Sequence, residues 1–555
     1  MPTIEVSKKD LFELIGKKLS LKELEEDLML VKGELESADN NLLKIEIADT
    51  NRPDLWSAEG IAREIKTKYG KKNASYGKLK DSGIIVKVDN NLKNIRPMTV
   101  CAVIRDLKIT PEVLSQMIQL QEKVCETFGS KRKETAIGVY DLHKITPPIT
   151  YKAFKSNEIK FIPLEFREKM DLNQILRRHP KGKEYGSLLD GYNKYPIFID
   201  ATGEVLSMPP IINSNYTGKI DEKTKDVFIE CSGFTLKYLM PALNILVAAL
   251  VDRGGKLETV KVAYLNKKIV TPNLRPKKIK VDWKYIENRI GLNIGKKRIV
   301  NLLNEANYLV VKEKRNTLYL EYPAYRQDIM HAVDVGEDVT IRYGYNNIEP
   351  RSPEMITEQG IVQINWFAKE IINIMLGLGT QEILSYTLTN KETLIKKMNL
   401  KDMKVIEVDN PVSKNWFVFR TWIIPCLMEF LSKNTNKEYP QEIFEIGEVV
   451  LFDQKTETKT KNPTRLAWAK ADKNAGFTEA KQALDFLMRT LGLDYSIEET
   501  HHNSFIKGRV GRVYIKTKAV AYIGEINPEI LENFGIEMPV SAFELNLTDL
   551  MEVMR

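Results

Sequence analysis

The chain has 555 residues, with 83 Lys and Arg against 75 Asp and Glu and a formal net charge of +8. Apolar residues at 43% and charged residues at 28% are the proportions of a folded globular chain and exclude a low-complexity or disordered one. The length calls for three or four domains, and the small basic excess permits a nucleic-acid partner without requiring one. Cys101, Cys125, Cys231 and Cys426 have no paired spacing, the usage expected in the reducing cytoplasm. The five histidines do not combine with them at zinc-ligand spacing. No signal segment opens the chain, and the apolar run near Ile245–Val251 is too short to span a bilayer, so no membrane partner is expected.

Residues 1–84 read as a small α+β domain. Ile4–Val6 and Leu43–Ala48 have strand character, and Asp10–Ile15 and Leu21–Leu28 have helical periodicity. The run Asn51-Arg52-Pro53-Asp54-Leu55, then Glu59-Gly60-Ile61-Ala62-Arg63, predicts strand, turn and helix. Pro53 opens the turn and Ser57 caps the helix without a capping box. In residues 85–267, strands are expected at Ile84–Val88, Val100–Ile104 and Ala136–Tyr140, and a helix over Pro111–Phe128. The basic runs Lys131-Arg132-Lys133 and Arg177–Lys183 read as solvated loops. Ser207, Asn213, Glu230 and Ser232 sit on strand-like segments; they either line a polar pocket or are ordinary strand ends, with Glu230 then paired to a lysine.

In residues 268–348, Trp283, Ile286 and Ile290 mark one helix, stopped by Gly291, and Ile299, Leu302 and Leu303 mark a second. With a strand pair near Leu309–Glu321 and the basic Lys296-Lys297-Arg298, this is a winged-helix-like arrangement. Asp334, Glu337 and Asp338 follow at i, i+3 and i+4, on one helical face, with Asp328 upstream after Pro323 and Arg326. Two readings stand here: an acidic, solvated helix start favoured by the dipole, or a group of oxygen ligands suited to Mg²⁺. Residues 349–555 predict a helix over Ile364–Leu376, strands at Ile383–Leu388 and Val405–Val408, and a helix over Pro425–Leu431. Further strands are expected at Ile443–Val450, Arg512–Ile515 and Ala521–Ile526. The sum is a mostly antiparallel sheet flanked by helices, in an α+β, multidomain chain.

Several separated motifs now stand in order. They are Asn51–Leu55 with Glu59–Arg63; Ala136-Ile137-Gly138-Val139-Tyr140-Asp141; Leu206–Ser214; Pro323–Asn347; Gly377-Leu378-Gly379; Phe444-Glu445-Ile446-Gly447; and Ile523–Pro528. The ordered set resembles the β subunits of phenylalanyl-tRNA synthetases of the archaeal and eukaryotic type. The resemblance implies an α₂β₂ heterotetramer in the cytoplasm that joins phenylalanine to tRNA(Phe) with ATP and Mg²⁺, its synthetic active site on the α subunit. It implies that 349–555 is a class II catalytic-like core without chemistry. In agreement, Trp422 stands two residues after Arg420, where an active domain would carry glutamate. It also implies that 268–348 is a B5 domain whose Asp328, Asp334, Glu337 and Asp338 hold a Mg²⁺ shared with α. Residues 85–267 then form a B3/B4 editing domain that hydrolyses Tyr-tRNA(Phe), with Phe198, Ser207, Asn213, Glu230 and Ser232 at its pocket. The run Glu230-Cys231-Ser232-Gly233-Phe234-Thr235 departs from the family pattern of acidic residue, valine, threonine, glycine, threonine and aspartate. The competing reading is a stand-alone tRNA-binding or trans-editing protein, for which the large catalytic-like block would have no use; a winged-helix DNA-binding protein is a third.

Overall fold

The computed structural model describes residues 2–74, 76, 77, 79–352, 360–401 and 403–554. The chain divides into two compact units, Met1–Arg351 and Ser352–Arg555.

The first unit begins with strand Thr3–Ser7, whose inward Ile4 and Val6 are fully buried. Alternation of this kind forms a sheet with one wet face. Strands Thr3–Ser7, Leu42–Ile47 and Gly33–Asp39 lie side by side in that order, all antiparallel. Helices Lys8–Ile15, Leu21–Leu28 and Ala58–Lys68 cover the inner face through Leu11, Leu24 and Ile61. Ser57 caps the last of these, accepting the Gly60 amide at 3.1 Å. A Cβ on Gly60 would run into the Asp54 carbonyl, so glycine lets the helix close against the preceding turn.

A ten-stranded sheet follows. Its main path runs Ile212–Asn213, Val205–Met208, Tyr195–Ile199, Ile149–Phe154, Lys80–Val88, Lys256–Ala263, Met98–Arg105, Val227–Gly233, Thr135–Asp141, and Lys268–Thr271 pairs with Lys256–Ala263. Lys80–Val88 pairs parallel with both of its neighbours; the other pairings are antiparallel. The apolar helix Leu236–Asp252 buries Leu239, Leu243 and Leu246 in one core with the N-terminal helices, which merges the first two expected blocks. The expected division at 84/85 therefore falls inside strand Lys80–Val88, and the sheet continues past 267 to Thr271. In the third block, strands Lys277–Asp282, Thr317–Tyr322 and Leu309–Lys314 form a three-stranded sheet rather than a pair. Helices Trp283–Ile290, Lys296–Glu305 and Ala332–Tyr343 share a core of Ile286, Leu302, Leu318, Val335 and Val339 with it.

The second unit is a seven-stranded sheet in the order Gln381–Glu382, Gln441–Glu448, Thr464–Ala471, Val540–Asn546, Lys518–Ile526, Phe505–Ile515, Ser496–Glu499. Only its first pair is parallel. Helices Gln363–Gly377 and Phe477–Thr490 pack in one core through Ile371, Leu484 and Leu487, and helix Ile424–Ser432 in another through Leu427 and Met428. Two strand expectations fail here. Ile383–Leu388 is not one strand, because Leu384 and Tyr386 point outward and are exposed. Val405–Val408 makes a single bridge, Glu407 to Val418. Among the described residues no helix is long and apolar enough to cross a membrane.

Candidate functional site

Helix Ala332–Tyr343 buries Val335 and Val339 in its core, which turns the opposite stripe of carboxylates toward the N-terminal part of the chain. Asp334 accepts the amides of Met330 (2.7 Å) and His331 (2.6 Å), closing the helix start. One turn on, Glu337 lies 2.6 Å from the Lys32 ammonium, which is also 2.9 Å from Asp49. Asp338 is buried and accepts the Tyr308 hydroxyl at 2.6 Å and Arg326 Nη2 at 2.8 Å. Asp328 accepts Arg326 Nε at 2.8 Å and Nη2 at 2.5 Å, with Arg52 Nε 3.8 Å away. Burial opposes the charge on Asp328, but the Arg326 guanidinium outweighs it and holds the carboxyl below the usual carboxylate range.

All four carboxylates line one small recess, together with Lys32, Asp49 and Arg52. Asp328 thus folds back to join the helical trio. The reading of a solvated acidic turn fails for Asp328 and Asp338, which are largely buried and charge-paired. Oxygen donors in this density suit Mg²⁺. Yet among the described residues no three acidic, histidine or cysteine side chains stand together as a ready-made ligand set, because Lys32, Arg52 and Arg326 come between them. These three cations went unassigned at the sequence level, although Arg52 lies in a motif and Arg326 stands two residues before Asp328. A second buried network lies beside the recess: Arg52 holds Asp54 through two bonds (3.0 and 2.8 Å) and Glu64 (3.1 Å), and Arg342 holds Glu64 at 2.5 Å.

A cavity of about 450 Å³ opens in the ten-stranded region. Ser207, Asn213 and Glu230 line it, with Met117, Ile137 and Ile211 supplying apolar wall. Strand pairing sets Ser207 across from Asn213 at one end of the sheet path and Glu230 across from Gly138 near the other, and Tyr140 links the two groups. The Tyr140 hydroxyl lies 2.7 Å from Ser207 Oγ, 3.0 Å from Glu230 Oε1 and 3.4 Å from Asn213 Oδ1. Glu230 Oε2 is buried without a well-formed hydrogen bond. Burial pushes the Glu230 carboxyl up to about 8, against the Tyr140 bond, the Arg96 charge and the Ser232 bond, which favours its protonated form. Among the described residues no lysine forms an ion pair with it.

Phe198 and Ser232 do not line this cavity. Phe198 is fully buried and stacks on Tyr151, ring centroids 4.1 Å apart. Ser232 is covered by Arg96, whose Nε donates to its hydroxyl at 3.1 Å. Arg132, read as part of a solvated run, is instead held at the rim by Glu122 (2.9 Å) and by the carbonyls of Pro210 (3.1 Å) and Ile211 (2.9 Å). Tyr140 and Arg96 are the polar residues that sequence reading missed; Tyr140 lay in the Ala136–Asp141 motif.

In the second unit, Arg420 is buried and spent on the fold. Its Nη1 reaches Glu445 at 2.5 Å and Ser385 Oγ at 2.9 Å, and Nε donates to the Glu448 carbonyl at 3.0 Å. Trp422 packs beside the His502 ring, centroids 5.6 Å apart.

Family models match along most of the chain. Residues 98–241 match the B3/4 domain, 279–345 the tRNA synthetase B5 domain, and 348–547 the phenylalanyl tRNA synthetase beta chain CLM domain. Domains of these kinds, in this order and on this fold, define an aminoacyl-tRNA synthetase chain. The chain is 48% identical to the phenylalanine--tRNA ligase beta subunit of Pyrococcus abyssi, over 100% of both chains. It is 47% identical to that of Pyrococcus horikoshii, over 99% of this chain and 100% of the relative. A solved N-terminal fragment of the phenylalanyl-tRNA synthetase beta subunit from Pyrococcus horikoshii is similar with a TM-score of 0.60 and 47% identity, over 62% of this chain and 100% of the fragment. The chain belongs to the phenylalanine--tRNA ligase beta subunit family.

Proposed function

We propose that this chain works in the cytoplasm as the β half of an α₂β₂ ligase that joins phenylalanine to tRNA(Phe), with ATP consumed at a site on the α subunit. The inward-turned Arg420 supports this division of labour, since it is buried and three of its five N–H donors are committed to Glu445, Ser385 and the Glu448 carbonyl. Helix Gln363–Gly377 exposes Trp366 and Leu376, apolar surface suited to a partner chain. Co-expression with an α subunit, followed by native mass measurement, tests the assembly. A stable monomer indifferent to α overturns it and favours the stand-alone reading.

The first unit, in this proposal, hydrolyses Tyr-tRNA(Phe) at the 450 Å³ cavity. A pocket built for an apolar ring rejects an added hydroxyl poorly, so a second site that binds that hydroxyl restores accuracy. The observation that carries the reading is Glu230, a buried carboxyl pushed up to about 8, on the wall of a cavity that mixes apolar and polar side chains. Ser207 and Asn213 add polar contacts, and Arg132 and Lys181 at the rim suit the tRNA end. Phe198 and Ser232 shape the surrounding packing from behind. Deacylation of Tyr-tRNA(Phe) by the α–β complex tests this: Glu230→Ala should lower the rate about 100-fold. Hydrolysis at background in the parent complex removes the editing function.

Asp328, Asp334, Glu337 and Asp338 would hold a Mg²⁺ shared with α. The ion would neutralise the recess and stabilise the subunit seam. The support is that all four residues line one recess, although Lys32, Arg52 and Arg326 would have to give way for their oxygens to converge on an ion. The Asp334→Ala, Asp338→Ala double variant should lose Mg²⁺-dependent assembly; unchanged Mg²⁺ dependence returns the cluster to a purely charge-paired role.

A further inference from the structure

We propose that Tyr140 is the positioning residue of this cavity: its hydroxyl gathers Ser207, Asn213 and Glu230 and leaves one defined oxygen of Glu230 for the phenolic hydroxyl of a bound tyrosyl group. The activity arm of this inference rests on the hydrolytic reading above; the binding geometry does not.

Three strands supply the gathered side chains: Val205–Met208, Ile212–Asn213 and Val227–Gly233. None of the three side chains bonds another directly among the hydrogen bonds described; Tyr140 is the common partner. Tyr140 is itself fully buried and is not part of the cavity wall. Its ring packs beside Phe228, centroids 6.1 Å apart, which fixes where the hydroxyl sits.

Gly138 makes this geometry possible. It lies directly across from Glu230 in the strand pair, two residues before Tyr140 on the same face. The phenol leans back over position 138 to reach the carboxyl. A Cβ there would collide with the Tyr140 hydroxyl and come within 2.8 Å of Glu230 Oε1. The Ala136–Asp141 motif thus has a physical reason: glycine for room, tyrosine for the tether.

With Oε1 engaged by Tyr140, Oε2 is the buried oxygen without a well-formed bond, its polar neighbour being the Ser232 hydroxyl. A carboxylic acid offering one free oxygen can pair with a phenol, whereas phenylalanine would leave it unpaired, a penalty that discriminates. The groups that face Glu230 are Tyr140, Arg96, which precedes strand Met98–Arg105, Cys101 on that strand, neighbouring Cys231, and Tyr151 on strand Ile149–Phe154. Of these, Arg96 alone carries charge near neutral pH. Tyr140 is therefore the main neutral hydrogen-bonding control on Glu230 ionisation.

The test is Tyr140→Phe in the α–β complex, which keeps the ring and deletes the tether. Isotope-edited infrared titration, read against Glu230→Gln, reports the Glu230 carboxyl directly. Its midpoint should rise by about one pH unit, because a bond favouring the ionised form is gone. Calorimetry with free tyrosine and phenylalanine should show tyrosine binding weakened about tenfold and phenylalanine binding unchanged. Gly138→Ala should move both readouts the same way. An unmoved Glu230 midpoint, or equal weakening of both amino acids, overturns the proposal. A shifted midpoint and lost preference in a complex that never deacylates Tyr-tRNA(Phe) supports it while removing the hydrolytic reading.

Discussion

The Lys32 ammonium lies 2.6 Å from Glu337, joining the turn before the second N-terminal strand to the acidic helix across 305 residues of chain. The same ammonium is 2.9 Å from Asp49. An internal cation thus stands at the recess where a shared Mg²⁺ is proposed, and the two compete for the same oxygens. Lys32→Met should raise the apparent Mg²⁺ affinity of the α–β complex about tenfold, because a neighbouring positive charge is removed. Mg²⁺ titration of assembly measures this, and an unchanged midpoint would place the ion elsewhere. Chelation should leave the first unit folded, since Lys32, Arg52 and Arg326 still neutralise the cluster.

Arg326 is the anchor of that cluster. It is 2% exposed and bonds both Asp328 and Asp338. Arg326→Met strands two carboxylates in a dry site, and breaking a buried pair costs about 3–5 kcal/mol. Urea unfolding followed by circular dichroism should show a loss of this size. A change below about 1 kcal/mol would mean that water or Arg52 fills the role.

Glu230 links the cavity to stability through pH. Its folded value, about 8, is above its ordinary 4.5, so the folded state holds a proton that the unfolded state releases. Folding is unpenalised below about 4.5, and stability is progressively lost as pH rises from there through about 8. Glu230→Gln removes this linkage. The variant should melt close to the parent at pH 4.5 and increasingly above it toward pH 8, with a constant difference at higher pH. A melting-temperature difference independent of pH would show that Glu230 is not held neutral.

Arg420 makes the opposite point in the second unit. Its side chain and that of Glu445 are 3% and 1% exposed, and the pair meets at 2.5 Å. Arg420→Ala should cost about 3–5 kcal/mol of stability. The KM for ATP of the assembled ligase should not change. A raised KM would give Arg420 a nucleotide role that its geometry argues against.

Much of the fold is legible because its causes are local. Ser57 capping the Gly60 amide, Gly291 ending its helix in the left-handed region, and the alternation of Ile4 and Val6 all follow from nearest neighbours along the chain. Where a segment depends on what covers it, sequence reading misleads. Ile383–Leu388 has strand composition, but its Leu384 and Tyr386 have no core to enter. The same holds for the cavity: Ser207, Asn213 and Glu230 line it, while Phe198 and Ser232 are claimed by Tyr151 and Arg96.

By itself the sequence determined the α+β character, the ordered motifs that mark the family, and the placement of Asp334, Glu337 and Asp338 on one helical face, since 3.6 residues per turn is a property of the backbone alone. Only the tertiary structure decided what neutralises those carboxylates and what holds Glu230. Lys32, Arg326 and Tyr140 were chosen by strand order and burial, which bring together groups as much as 305 residues apart and remove the water that would otherwise have separated them.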